Sequence, residues 1–141
     1  MMKAAIRGLT REDGTRPLLI SVTQLTSTSE ERMNKELLIN GKLDDVVMHY
    51  AKNSQDAGLD GVVCSPLEAG KVKQVCGQDF ITVTPGVRFE TDDVGDQVRV
   101  TTPKKAKEIG SDYIVVGRPI TKAENPVEAY RRCVRDFIGN I

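Results

Sequence analysis

The residues best placed to do chemistry are Gly117 and Arg118. They follow the run Asp112-Tyr113-Ile114-Val115-Val116, a short β-branched stretch that stops abruptly at Gly-Arg-Pro. Such a run suits a strand buried on both faces, as parallel sheets require, with glycine where the backbone turns sharply or a ligand comes close. Gly117 offers a bare N–H and Arg118 a planar cationic fork, the two donors that a phosphate monoester takes. Taken alone, Gly-Arg also describes an exposed arginine after a turn glycine. The other strand candidates end in Thr26, Ser65 and Arg88, residues out of keeping with a plain core. Ligands in α/β folds bind beyond the carboxyl ends of the strands, so four polar endings on one rim make a site.

Other reactive side chains point to less. His49, the one histidine, lies beside a helical apolar stripe with no base or nucleophile placed to pair with it. Asp92, Asp93 and Asp96 crowd one polar loop, but their spacing matches no calcium loop and suits a solvated loop. Cys64, Cys76 and Cys133 share no metal-ligand or redox spacing. They read as free thiols of a reducing compartment, with Cys64 a small buried hydrophobe in Val62-Val63-Cys64.

These groups need a frame. At 141 residues the chain has room for one domain, residues 1–141, and not for two of ordinary size. Its 20 basic and 20 acidic residues cancel, and there is no tryptophan. That argues against a nucleic-acid footprint; Lys104, Lys105 and Lys107 read as the solvated face of a helix. No apolar run has signal-peptide or membrane-span length, so the expected location is the cytoplasm, with no membrane contact.

Periodicity supplies the elements. Met2, Ala5, Ile6 and Leu9 mark one face of an opening helix, and Leu18 to Val22 is the first strand. In the hydroxyl-rich loop that follows, Ser27 with Glu30, or Thr28 with Glu31, fits a capping box. A helix from Leu43 to Gly58 buries Val46, Val47, Tyr50 and Ala51. Asp60 to Ser65 is a strand, Pro66 to Val75 a helix stopped at Gly77, and Phe80 to Val83 a strand running into Thr84-Pro85-Gly86-Val87-Arg88. Pro103 to Ile109 is a helix closed by Gly110, and Asn125 caps a last helix with Val127, Tyr130, Val134 and Phe137 or Ile138 on its buried face. Four strands alternating with helices predict four consecutive parallel βα units.

In this order and spacing the chain resembles the C-terminal part of orotidine 5'-phosphate decarboxylase of the bacterial type. The match rests on Val22-Thr23-Gln24-Leu25-Thr26-Ser27, Gly58-Leu59-Asp60-Gly61-Val62-Val63-Cys64-Ser65, Thr82-Val83-Thr84-Pro85-Gly86-Val87-Arg88, Asp96-Gln97 and Ile114-Val115-Val116-Gly117-Arg118-Pro119-Ile120. The resemblance implies an α/β fold, a partial (β/α)8 TIM barrel forming the C-terminal half-barrel. The family acts without metal or cofactor, usually as a dimer, and turns orotidine 5'-phosphate into uridine 5'-phosphate in pyrimidine biosynthesis. It implies that Gly117 and Arg118 bind the 5'-phosphate, Gln97 bridges phosphate and pyrimidine, and Thr26 contacts the base. Arg88 would belong to the flexible loop that closes over the phosphate, and Pro85 and Gly86 would wall the pyrimidine.

The family's catalytic motif, Asp-x-Lys-x-x-Asp, follows none of the aspartates in this sequence. No catalytic residue is therefore expected within these residues, which begin on what resembles the helix after the family's fourth strand. The expectation is a binding half that is completed by an N-terminal half or a second copy. Leu18, Ile20, Val62, Ile81, Val83, Ile114 and Val116 include the inward layer that partner strands would cover. Two other readings stand beside this one: a noncatalytic half-barrel that binds a phosphorylated ligand, and a related sugar-phosphate decarboxylase or aldolase.

Overall fold

The computed structural model describes residues 1–90 and 99–139. These form one sheet of four parallel strands in the order β1-β2-β3-β4: β1 Ile20–Val22, β2 Gly61–Val63, β3 Ile81–Thr84 and β4 Tyr113–Ile114. The helices are α1 Met2–Leu9, α2 Glu30–Lys35, α3 Leu43–Asp56, α4 Pro66–Cys76, α5 Pro103–Ile109, α6 Arg118–Thr121 and α7 Pro126–Ile138. The predicted succession of four parallel βα units is what forms. The strands are shorter than the apolar runs suggest.

The register sets two faces. Val22, Val63, Val83 and Tyr113 stand in one row across the sheet, and Ser21, Val62 and Thr82 in the next. Val62 turns toward the helices and is fully buried with Met33, Val47, Ala51, Val72 and Phe80. The opposite face is open: Val22, Tyr113 and Val115 are each half exposed or more. This corrects two expectations. The run 112–116 is an open edge rather than a strand buried on both faces, since nothing among the described residues pairs beyond β4 or covers its far side. Val62 belongs to the helix-side core, and Ile114, paired with Thr84, stands on that same side.

Helix boundaries follow local chemistry. Ser65 and Glu68 form a full capping box ahead of Pro66, and Thr102 and Asn125 accept from the amides of Lys105 and Glu128 to start α5 and α7. In the hydroxyl-rich loop the cap is Ser29, which accepts from Arg32 N; neither Ser27 nor Thr28 takes that role. Glu30, free of a capping box, instead accepts from the amide of Leu43 at 2.8 Å and so caps α3. The α7 expectation also changes. Cys133 is the buried residue, with Ala129, Val134 and Phe137 partly covered, whereas Val127, Tyr130 and Ile138 face outward. The helix is turned this way by its contacts with α5 and with the end of the β3 loop. Lys107 lies over the Phe137 ring at 5.3 Å, and Arg132 over Phe89 at 4.0 Å.

The amino ends of the strands are tied by two carboxylates. Asp60 accepts from Leu19 N at 2.7 Å and from Arg16 Nη1 at 2.5 Å, joining β1 to β2. Asp112 accepts from Lys73 Nζ at 2.5 Å, Thr82 N at 2.7 Å and Thr82 Oγ1 at 3.0 Å, joining α4, β3 and β4. The Arg16 hydrogen bond holds the Asp60 carboxyl below its ordinary value against the opposing effect of burial. Burial alone raises the Asp112 value, but the Lys73 and Thr82 bonds together outweigh it and leave the net shift downward. A depressed folded-state value adds stability that is complete above the ordinary carboxylate value, about 4, and is lost as pH falls through the folded value. Urea unfolding from pH 7 down to pH 2 should therefore show a stability loss on the acid side. Asp112→Asn should flatten part of that loss while lowering stability at neutral pH, because Lys73 is then left buried without its counter-charge.

Candidate active site

The four carboxyl ends meet around a cleft of about 440 Å³. Val22, Gln24, Leu25, Thr26 and Ser27 line it from β1 and its loop, Val63 from β2, Pro85, Gly86 and Arg88 from β3, and Val115, Gly117 and Arg118 from β4. The polar ends of β1, β3 and β4 thus converge, with Thr26, Arg88 and Arg118 on one rim, whereas Ser65 after β2 is fully buried as the cap of α4 and does not line the cleft.

Each residue is held by local structure. Gly86 has φ of 85°, a left-handed conformation that glycine adopts without strain and that lets the chain turn out of β3. Gly117 has φ of −102°, and a Cβ built there meets nothing within 4 Å, so packing within the protein does not require a glycine. What its lack of a side chain provides is an open approach to its own N–H, which donates to no group among the described residues. Its carbonyl accepts from Ile120 N and Thr121 N at 2.9 and 3.0 Å, and this fixes the turn that carries Arg118. Arg88 is buried, with its amide bonded to Thr101 O at 3.0 Å and Nη1 donating to Val87 O at 2.8 Å. It therefore stands at the tethered base of the segment that follows β3. Thr26 is buried at the opposite end of the cleft from β4, beyond Val63. Gln97 lies outside the described residues, as do Asp92, Asp93 and Asp96.

A family model described as the orotidine 5'-phosphate decarboxylase / HUMPS family matches residues 1–133. The chain belongs to this family. It is 60% identical over 142 residues to an orotidine 5'-phosphate decarboxylase of Bacillus cereus (strain G9842), an alignment that takes in 99% of this chain and 60% of that protein. A crystal structure of orotidine 5'-phosphate decarboxylase from Lactobacillus acidophilus superposes with a TM-score of 0.79 at 41% identity, over 97% of this chain and 58% of that one. The Pyrococcus horikoshii OT3 structure, at 20% identity and a TM-score of 0.64 over 89% of this chain and 53% of that one, shares the fold. The chain spans about 60% of the length of the curated relatives it matches. In the family's frame the sheet is an arc of four consecutive strands of a (β/α)8 barrel, and the open face is the barrel's interior.

Six of the seven binding residues named from sequence line this one cleft: Thr26, Pro85, Gly86, Arg88, Gly117 and Arg118. Sequence reasoning missed one residue of the cleft wall and a buried pair behind it. Gln24 is a buried polar residue on the cleft wall, where alternation along β1 from Val22 through Gln24 to Thr26 points to it. Glu68 and Arg99 form a buried ion pair behind the cleft. For Glu68 the spacing Ser65-x-x-Glu68 was a readable capping signal; for Arg99 the sequence carries none. His49 is exposed, hydrogen-bonded to Asn53, and remote from the cleft, and the described residues hold no cluster of three metal-ligating side chains.

Cys64 is the one thiol that flanks this rim, one residue past β2. Burial pushes it up to about 12, an effect that the nearby charges of Arg99 and Lys73 only partly oppose. It is a neutral packing group there and not a nucleophile. Iodoacetamide at pH 8 should leave Cys64 unmodified in the folded protein and label it rapidly in urea; prompt labelling of the folded chain would contradict its burial.

Proposed function

We propose that this chain is the substrate-binding section of an orotidine 5'-phosphate decarboxylase, acting in the conversion of orotidine 5'-phosphate to uridine 5'-phosphate in pyrimidine biosynthesis. The observation that carries this reading is the single cleft that gathers a cationic fork and a bare N–H at one end and neutral polar groups at the other. Arg118 and the Gly117 N–H grip the 5'-phosphate. Thr26 contacts the pyrimidine, which stacks against the Pro85–Gly86 backbone. Arg88 adds positive charge between the two, and Gln97 bridges phosphate and base. The chemistry needs no metal or cofactor. Three buried free cysteines support a reducing compartment such as the cytoplasm.

Decarboxylation leaves a carbanion at ring carbon six. That carbanion needs an ammonium close by and a site that disfavours the starting carboxylate more than the transition state. In the family these tasks belong to Asp-x-Lys-x-x-Asp, a pattern that follows no aspartate here. Lys122 borders the phosphate turn and lies at the wrong end of a bound nucleotide to protonate its ring. The partner in catalysis is therefore a segment carrying that motif, seated against the open face of the sheet, and two complete sets then pair as a homodimer.

Two outcomes test the proposal. Calorimetry should show uridine 5'-phosphate binding to the folded chain, with Arg118→Ala weakening it by about tenfold to a hundredfold, the loss of one charge-assisted contact worth about 1.5–3 kcal/mol. Equal affinity in the variant would place the phosphate elsewhere. Orotidine 5'-phosphate turnover should be at background for these 141 residues alone and appear on co-expression with an N-terminal segment containing Asp-x-Lys-x-x-Asp. Turnover by the chain alone, abolished by Arg118→Ala, would mean that the catalytic groups lie within it.

A further inference from the structure

Arg99 lies behind the cleft and does not line it, yet it joins three segments that build one end of it. Its side chain is 12% exposed and that of its ion-pair partner, Glu68 of α4, is 3% exposed. Nη2 donates to Leu25 O at 2.8 Å and reaches Gln24 O at 3.4 Å. The Arg99 amide faces Thr26 O at 3.4 Å, and its carbonyl accepts from Ser65 Oγ at 3.5 Å. Glu68 uses its other oxygen to accept from Ser65 N at 2.8 Å. One guanidinium therefore ties the backbone of residues 24–26 to the amino end of α4.

Burying such a pair costs desolvation, and an apolar pair of similar volume commonly serves stability as well or better. What an apolar pair cannot do is hold two backbone carbonyls from a fixed fork. Those carbonyls belong to the two residues immediately before Thr26, so the direction of the fork sets where Thr26 stands. Among the described residues, the backbone bonds that shape the turn at Gly117 run to Ile120 and Thr121 and not to this network. The backbone at the two ends of the cleft is thus shaped by separate sets of hydrogen bonds among the described residues.

We propose that Arg99 is a positioning residue for the base-recognising end of the cleft, acting through residues 24–26 and leaving the phosphate grip untouched. This rests on the binding role proposed above. The test compares uridine 5'-phosphate with ribose 5-phosphate, which carries the same phosphate and sugar without the base. Arg99→Met should weaken the nucleotide by about tenfold, the scale of one charged hydrogen bond, and leave ribose 5-phosphate affinity unchanged. Arg99→Lys keeps the pair with Glu68 but loses the second arm of the fork, and should fall between the two. If the Met variant does not fold, the Lys variant decides on the same ratio of affinities. Amide hydrogen exchange supplies a ligand-free readout: protection at Thr26–Thr28 should drop in either variant while that at Ile120–Lys122 stays. Loss of both ligands in equal measure, or unchanged nucleotide affinity with unchanged exchange, overturns the proposal. Failure of the parent chain to bind either ligand counts against the proposed function, and the exchange pattern then still decides whether Arg99 positions residues 24–26.

Discussion

Everything at the cleft depends on four parallel strands held in one register. Val22, Val63, Val83 and Tyr113 stand in a single row, and beyond it the pairing runs on through Thr23 N to Val63 O, Cys64 N to Val83 O and Val115 N to Thr84 O, at 3.1, 3.2 and 3.0 Å. The loops after the strands consequently leave the sheet at nearly one height, so residues far apart in sequence meet within one cleft. A one-residue slip would exchange the two faces of a strand. For β2 it would take Val62 out of the core and put Val63 in its place. The packing of Val62 against Met33, Val47 and Val72 on the helix side is thus what places functional groups on the opposite rim.

The two ends of the sheet treat buried charge differently. At the amino ends, Asp60 and Asp112 each take several donors and serve to join neighbouring strands. Conservative packing of this kind is what the stability end of a βα sheet requires. At the carboxyl ends the polar groups are arranged around space. Arg99 and Glu68 form the exception, a closed pair at the open end, and their donors and acceptors reach backbone and not the cleft. That pair does for the loop after β1 what Asp112 does for β3 and β4.

Much of this frame was legible in the sequence where local chemistry decides the structure. Pro66 and Gly77, Pro103 and Gly110, and Asn125 with Pro126 bracket helices that form within a residue or so of those marks. The converging strand endings followed from the parallel topology, and six cleft residues with them. The failures share a cause: local pattern was degenerate and distant contacts chose. Ser27 and Thr28 each precede a glutamate at capping-box spacing, yet the cap is Ser29, and that choice goes with Glu30 capping α3 thirteen residues on. Helix α7 carries apolar residues on two sides, and the side with Cys133 buried and Ala129 partly covered is the one packed against α5. Arg99 has no sequence signature at all, since its partners are carbonyls and a capping glutamate supplied by other segments.

The open face bears on how the two ends of the cleft work. The Gly117 turn is held by backbone hydrogen bonds within residues 117–121, so the shape of a phosphate grip there is set locally. The end proposed to recognise the base is different, because the floor between Thr26 and Arg118 is Val22, Val63 and Val115, part of the same apolar face left open to water. Hydrogen bonds to a heterocycle discriminate strongly only where water is excluded, and there an unpaired polar group is costly. On the proposed reading, this chain grips the phosphate and touches the base by itself, and its contacts to the base strengthen when that apolar row is covered. Covering the row is also what would bring an aspartate and a lysine over the ring. On that reading, the same burial that would dry the pyrimidine end would also complete the catalytic site, and recognition of the base and assembly of the catalytic groups would be one event on this face of the sheet.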